Sequence, residues 1–456
     1  MIVMKFGGSS VESASALERV ASIVKARLDR RPVVVVSAMG KTTNRLLAIA
    51  AAAAEGKQTD AMKLLEELRE YHRSEAALVT KAEDLPELEQ ILDDHFGELQ
   101  EYVAEIAEVE EFSPRMVDAV SALGERISSR IVTLAFRYFG MDAVHVDSRD
   151  VIVTDSRHTQ AAPLFPKTYS RLADRIPPVA AKHVAVMGGF IGSAEDGTTT
   201  TLGRGGSDFT GSIVGAGIHA EEIQIWTDVD GMLTCDPRIV PGGYRVKSIS
   251  FAEAAELAYF GAKVLHPATV LPAIEKDIPV LILNSRRPEV EGTRIVSNAV
   301  PCRNVIKSIA SKPNITVVKV QSLRMLMAHG FLRRIFEVFD RYPTAVDIVT
   351  TSEVSVSLTI DNLKFLDEIC EELRAIAEVS VEQGLAIVCV VGDNIHGTPG
   401  IAARLFKALG GINVRMISQG ASQLNLSFVV AGDEMKPAMQ ALHDEFFRDP
   451  DPEVFQ

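Results

Sequence analysis

The sequence predicts an α/β fold built on a mainly parallel sheet, followed by a duplicated β-α-β-β unit. Three observations carry this. A strand, a glycine loop and a helix follow one another twice within the first 55 residues: Ile2–Phe6, Gly7-Gly8-Ser9-Ser10 and a helix over 14–28, then a β-branched strand over 32–37, Ala38-Met39-Gly40 and a second helix. A glycine-rich stretch, 198–208, opens onto an apolar run, 209–218, that reads as a buried helix. Beyond residue 300 one pattern of strands and helices occurs twice.

Composition narrows the function. At 456 residues the chain exceeds one ordinary domain, and an apolar fraction of 47% supports sizeable cores. A net charge of −14 argues against nucleic acid or an anionic membrane as the main partner. It leaves anionic small molecules to local clusters of Lys and Arg. Cys235, Cys302, Cys370 and Cys389 are scattered and lack C-x-x-C spacing, which fits reduced thiols rather than disulfides. The N-terminus enters a strand directly, with no signal peptide, and no apolar run approaches the ~20 residues of a membrane span. A soluble, cytoplasmic protein is expected.

Taken in order, the first helix places Leu17, Val20, Ile23 and Val24 on one face. Ligands of open α/β sheets lie beyond the C-terminal strand ends, where Lys5, Gly7, Gly8, Ser9 and Ser37 fall. Gly40-Lys41-Thr42 imitates the end of a P-loop, but Val35 stands where its first glycine belongs. Residues 51–111 read as a helical, acidic insertion. Glu125 and Arg126 then follow Gly124 in an apolar helix, either as a surface ion pair or as buried functional groups.

A strand over 184–187 ends in Gly188-Gly189-Phe190-Ile191-Gly192 ahead of the central stretch. There, Gly203, Gly205 and Gly206 allow a sharp turn and close approach to a ligand. Ser207 and Asp208 begin a helix whose free N–H groups suit an anion, and Arg204 adds a planar fork for a carboxylate or phosphate. Gly215-Ala216-Gly217 falls inside that helix, so a dinucleotide reading is poor. A strand over 222–226 runs into an Asp-rich loop, 227–233, that fits either Mg²⁺ or plain turn chemistry. An Ala-rich helix over 251–259 leads to Lys263 at another turn. A late strand over 279–283 and the turn at 291–293 close the first domain.

The first repeat reads as a strand over 315–320, a helix to Phe339, then strands over 346–352 and 354–358. The second reads as a strand over 385–391, a helix to Leu409, then strands over 413–418 and 425–428. Both are ferredoxin-like, with a sheet edge free to pair with a partner.

Together these stretches resemble the aspartate kinases of the amino acid kinase family, and the repeat resembles paired ACT domains. The matching residues are Lys5-Phe6-Gly7-Gly8-Ser9-Ser10-Val11, Ser37-Ala38-Met39 with Thr43-Asn44, Gly124-Glu125-Arg126, Gly188 to Gly192, 200–208, Trp226 to Gly231, Asp236-Pro237-Arg238 and 260–267. The resemblance implies a three-layer, carbamate-kinase-like domain over 1–295 and ACT domains over 296–380 and 381–456. The last residues are free to return to the first ACT domain. It implies phosphoryl transfer from ATP, with Mg²⁺, to the β-carboxylate of aspartate, a first step towards lysine, threonine and methionine.

By the same resemblance, Lys5 stabilises the transferring group, Asp208 orients Lys5, and Gly7, Gly8 and Ser9 supply backbone donors. Arg204 grips the substrate α-carboxylate, Glu125 its ammonium, and Ser37, Thr43, Gly205 and Ser207 line its site. Thr227, Asp228, Leu233, Asp236, Arg238 and Lys263 serve the nucleotide; some relatives carry an aromatic where Leu233 stands. No residue is assigned as a resident metal ligand. Met325, Gly330, Phe331, Leu332, Asp347, Ser352, Glu353 and Val354 resemble the effector site of lysine-responsive members, which implies a homodimer or tetramer through the ACT domains. Threonine as effector, another carboxylate substrate, and a non-catalytic amino acid sensor are the competing readings. With its end just after the second repeat, the chain is expected to lack an appended dehydrogenase domain.

Overall fold

The strands β1 (Ile2–Phe6) and β2 (Pro32–Val36) are buried at every position, as expected of parallel strands covered on both faces. The structure, a computed structural model, describes residues 1–261, 265–325 and 329–456. It divides into two units.

The first unit comprises 1–232, 248–251 and 264–299. Its further strands are β3 (Ala143–His145), β4 (Val153–Thr154), β5 (Val184–Gly188), β6 (Ile191–Ala194), β7 (Thr199–Thr201), β8 (Glu222–Thr227), β9 (Ser248–Ser250), β10 (Val280–Asn284) and β11 (Thr293–Val296). Eight form one sheet in the order β3-β5-β2-β1-β8-β10-β11-β9, and only β10 with β11 is antiparallel. The others, β4, β6 and β7, make a small separate sheet.

Alternation along β1 separates two layers of cover. Ile2, Met4 and Phe6 join a core with α1 (Ala14–Lys25), α2 (Thr42–Ala54), α3 (Gln58–Ala77), α4 (Leu85–Val109) and α5 (Pro114–Tyr138). Leu17, Val20, Ile23 and Val24 of α1 lie in that core, as their spacing predicts. The acidic stretch 51–111 holds the end of α2 and all of α3 and α4. Leu88, Ile91, Leu92, Phe96 and Leu99 form the buried stripe of α4. The following helix is α6 (Phe165–Ala180). Lys5 points to the other side, where α7 (Gly206–Gly217) approaches so closely that a Cβ on Gly211 would lie 3.5 Å from Lys5 Cβ.

The second unit comprises 233–247, 252–263 and 300–456. It therefore includes most of α8 (Phe251–Tyr259), whereas α9 (Leu271–Glu275) lies in the first unit. Its sheet runs β13 (Val349–Thr351), β14 (Ser355–Ile360), β12 (Ile306–Gln321), β15 (Glu378–Gly392), β17 (Asn425–Ala431) and β16 (Met416–Gln419), antiparallel throughout. Helices α10 (Phe331–Arg341) and α11 (Leu366–Arg374) accompany the first repeat, α12 (Ile401–Ala408) and α13 (Met435–Phe446) the second.

One feature was not read from the sequence. The strand β12 serves both repeats: residues 315–321 lie between β14 and the start of β15, while 306–312 pair with 387–392 and so continue the sheet of the second repeat. Pro313 and Asn314 cause the break, with register shifts on either side of Ile315 and Asn314 at φ +58°. The domain boundary expected at 380/381 falls inside β15.

This shared strand is testable. Phe428 is fully buried on β17, and Phe428→Ala should cost the second repeat about 3–5 kcal/mol. Amide hydrogen exchange should then accelerate at least tenfold over 306–312 and far less over 316–321. Equal acceleration along β12 would refute the division.

Candidate active site

Four adjacent parallel strands, β5, β2, β1 and β8, end in glycine- or alanine-containing loops on one side of the first unit's sheet. Their backbones interlock. Gly40 N–H donates to Gly8 O at 3.0 Å, Gly189 N–H to Val36 O at 2.8 Å, and Gly7 N–H to Trp226 O at 3.2 Å. Side chains are excluded at the crossing points. A Cβ on Gly8 would lie 2.8 Å from the carbonyl oxygens of Ala38 and Gly40, and one on Gly189 only 2.7 Å from Ser207 Cβ. The glycines thus bring strand ends, loops and the start of α7 to one place.

Lys5 stands at the centre. Its side chain is mostly buried, and its Nζ lies 2.6 Å from Asp208 Oδ1 in the first turn of α7. That helix begins from Gly205, a left-handed N-cap with φ +72°. The N-terminal N–H groups of α7 and the Lys5 ammonium, itself paired with Asp208, lie beside the glycine loops. Gly8, Ser9 and Ser10 form a single 3-10 turn after β1, tied down by a 2.7 Å hydrogen bond between the hydroxyls of Ser10 and Ser285.

Glu125 and Arg126 are not an ion pair with each other. Arg126 turns to Glu98 at 2.9 Å, while Glu125 is buried with its backbone against Gly188. Burial pushes the Glu125 carboxyl up to about 8; the Ala38 amide that donates to it and the charge of Lys5 pull the other way. Its Oε2 has no hydrogen-bond partner among the described residues. A buried, unpartnered carboxylate oxygen is costly and suits a cationic ligand group.

Ser37 is half-buried at the end of β2, its carbonyl accepting from the Ser128 hydroxyl at 2.8 Å, and Thr43 is half-buried in the first turn of α2. Arg204 is exposed between Gly203 and Gly205, with no ion pair among the described residues. Thr227 ends β8, and its carbonyl accepts from Ser285 N–H at 2.8 Å; Asp228 beside it is exposed.

Leu233, Asp236 and Arg238 belong to the second unit, where Asp236 and Arg238 pair with each other at 2.6 Å. Lys263 lies outside the described residues. Of the effector candidates, Gly330 is the left-handed N-cap of α10, Phe331 is buried and Leu332 exposed. Met325 packs partly buried on the first repeat's core. Asp347 accepts from Lys312 Nζ at 2.8 and 2.9 Å and from Tyr259 Oη at 2.9 Å. Ser352 is engaged in its own turn through Val354 N–H, Ser355 N–H and the Ser355 hydroxyl, and Glu353 is exposed.

Sequence reading overlooked Asp118. It is fully buried on α5 and holds His158, Thr159 and Thr201. Its position seven residues before Glu125 on a helix was the available signal.

A mainly parallel sheet with glycine loops around a buried lysine, joined to a tandem ferredoxin-like unit, is the architecture of a regulated phosphotransferase. Comparison with known proteins agrees. The amino acid kinase family model matches residues 1–284, and an ACT domain model matches 388–446. The chain is 38% identical to Aspartokinase 2, chloroplastic, of Arabidopsis thaliana, over 98% of this chain and 84% of the relative. It is 36% identical to the lysine-sensitive aspartokinase 3 of Escherichia coli K12, over 98% and 99% respectively. The crystal structure of E. coli aspartokinase III with lysine and aspartate, in the T-state, superposes with a TM-score of 0.82 at 35% identity, covering 98% of this chain and 99% of that one. The R-state with aspartate and ADP gives 0.81 at 35% identity, covering 98% and 100%.

The chain belongs to the amino acid kinase family, and within it to the aspartokinases with ACT domains. It is an ATP-dependent kinase. Among the described residues no helix is long and apolar enough to cross a membrane.

Removing the central cation should separate chemistry from folding. Lys5→Ala is expected to lower ATP turnover by at least about 10²-fold, with a thermal midpoint within a few degrees of wild type. Parallel loss of turnover and midpoint would give Lys5 a structural role instead.

Proposed function

We propose that the chain transfers the γ-phosphoryl group of MgATP to the β-carboxylate of L-aspartate, giving 4-phospho-L-aspartate, and that L-lysine inhibits it through the ACT repeats. The observation that carries the substrate reading is Glu125: a buried carboxylate with an open acceptor, beside Lys5 and the glycine loops, matches the ammonium of an amino acid. Arg204, exposed and without an ion pair among the described residues, is the matching receptor for the α-carboxylate. The structures of the E. coli relative contain aspartate with lysine or with ADP, which supports the same substrates here.

The mechanism follows from charge. An aspartate β-carboxylate is ionised at neutral pH and needs no general base. The obstacle is repulsion between that anion and the phosphate chain. Lys5 neutralises charge on the transferring group, and the N–H groups of Gly8 and Ser9 hold the phosphates, that of Gly7 being spent on Trp226 O. Asp208 keeps the Lys5 ammonium in place through the 2.6 Å pair rather than removing a proton. Ser37, Thr43, Gly205 and Ser207 shape the amino acid site, and Thr227 and Asp228 contact the nucleotide.

Regulation by lysine draws support from Asp347, whose side chain already receives an ammonium, that of Lys312, together with the Tyr259 phenol. An effector ammonium would use the same chemistry. Gly330, Phe331 and Leu332 offer backbone groups at the start of α10. Inhibition requires that lysine bind the less active arrangement more tightly than the active one. We place this pocket between paired regulatory units of two chains.

The test is acyl-phosphate formation trapped with hydroxylamine, using aspartate, glutamate and N-acetylglutamate, with and without millimolar lysine or threonine. Turnover confined to aspartate and suppressed by lysine is expected, and Asp347→Ala should weaken lysine inhibition at least tenfold while keeping turnover. Preference for another carboxylate would overturn the substrate, suppression by threonine alone would overturn the effector, and a fully lysine-sensitive Asp347→Ala would move the pocket.

A further inference from the structure

A carboxylate buried without a cation must find its stabilisation in hydrogen bonds. Asp118 is 0% exposed, and among the described residues its partners are a hydroxyl, a backbone N–H and an imidazole rather than Lys or Arg. Thr201 Oγ1 donates to Oδ1 at 2.5 Å, Thr159 N–H to both oxygens at 3.0 and 3.1 Å, and His158 Nδ1 lies 2.8 Å from Oδ2. These contacts come from two segments, the loop at 158–159 and the end of β7. Both meet the same target.

Thr201 ends β7 and is followed at once by Leu202-Gly203-Arg204. Thr159 is a β-branched residue held at φ +71°, a conformation such residues rarely adopt. Its carbonyl oxygen sits 3.1 Å from where a Cβ on Gly203 would be, so Gly203, itself at φ +73°, rests directly on it. A third link is Ala161 N–H donating to Thr201 O at 2.9 Å. The Arg204 side chain has no ion pair of its own among the described residues to fix it. Its backbone is aimed by a platform that Asp118 holds together.

The same helix carries Glu125. Seven residues along α5 is nearly two turns, so Asp118 and Glu125 share a face about 10.5 Å apart along the axis. One rigid helix thus bears the ammonium receptor directly and the carboxylate receptor through a strained loop.

We propose that Asp118 is a positioning residue that holds the 158–159 loop under Gly203 and thereby sets Arg204 against the α-carboxylate of the amino acid substrate. This rests on the reading of Arg204 given above. Its signature is a defect in amino acid binding rather than in chemistry or nucleotide binding.

The experiment measures steady-state kinetics with aspartate and with ATP varied separately on the full-length protein. Asp118→Ala should raise the KM for aspartate at least tenfold, with kcat within about threefold and the KM for ATP unchanged. Asp118→Asn, which keeps an acceptor for Thr201 and Thr159, should recover most of the loss. Adding Thr159→Gly to Asp118→Ala should also recover part of it, because glycine adopts the left-handed conformation without being held there. If Asp118→Ala does not fold, Thr201→Val, which removes one donor and keeps the shape, should raise the KM for aspartate about threefold. A fall in kcat with both KM values unchanged would mean simple loss of folded enzyme and would overturn the proposal. Arg204→Lys separates the two layers. If it raises the KM for aspartate while neither Asp118→Ala nor Thr201→Val does, the proposal alone fails. If it leaves that KM unchanged, the Arg204 reading falls and the proposal with it.

Discussion

A lysine near the C-terminal end of a buried parallel strand must be paired, and the pairing of Lys5 with Asp208 organises the first unit. Asp208 reaches Lys5 only because α7 starts close to the strand ends. That approach requires Gly205 in a left-handed N-cap, and Gly206 where a Cβ would lie 2.6 Å from the Phe190 ring. It also requires Gly189 against Ser207 and Gly211 against the lysine stem. The glycines are therefore consequences of one electrostatic demand. The same approach sets the first turn of α7 beside the Lys5 ammonium, where phosphoryl transfer can use positive charge.

The second unit answers a different constraint. A ferredoxin-like repeat needs four strands to cover its helices, and β12 supplies a strand to both repeats by bending at Pro313 and Asn314. Lys307, on the portion of β12 that continues the second repeat, forms a buried ion pair with Glu253 of α8 at 3.0 Å. At the other end of α8, Tyr259 donates to Asp347, the carboxylate proposed to take the effector ammonium. Breaking a buried pair leaves an uncompensated charge, so α8 is held to this sheet by a buried ion pair at one end and by the Tyr259–Asp347 hydrogen bond at the other.

Much of this was legible because the signals were local. All-buried β-branched runs such as 32–36 announce parallel strands, and glycines directly after them announce loops that must approach something closely. The buried α7 followed from an apolar, Gly/Ala-rich run and the repeats from a recurring order of strands and helices, and the family resemblance rested on motifs in order along the first 267 residues. What escaped was non-local. The strand over 306–312 is separated from its partner β15 by the whole first repeat, and the sequence reading began the strand at 315. Asp118 reads as an ordinary helix residue until the fold delivers Thr159 and Thr201 to it. Nothing in the spacing of Glu125 and Arg126 distinguished a surface pair from two residues that turn in different directions.

Glu125 is buried, its Oε2 has no hydrogen-bond partner among the described residues, and it is the group proposed above to receive the substrate ammonium. Burial places Glu125 at about 8 against an ordinary 4.5. Without ligand, the folded chain thus holds a proton that the unfolded chain has lost, and stability falls as pH rises across that window. A ligand ammonium bound at Glu125 would favour the charged carboxylate and expel the proton. The direct measurement is calorimetry of aspartate binding at pH 7 in buffers of different ionisation enthalpy. The account predicts release of about one proton per aspartate bound by the wild type, and almost none by Glu125→Gln, which should also bind aspartate far more weakly. Tight binding without proton release, unchanged by Glu125→Gln, would contradict it.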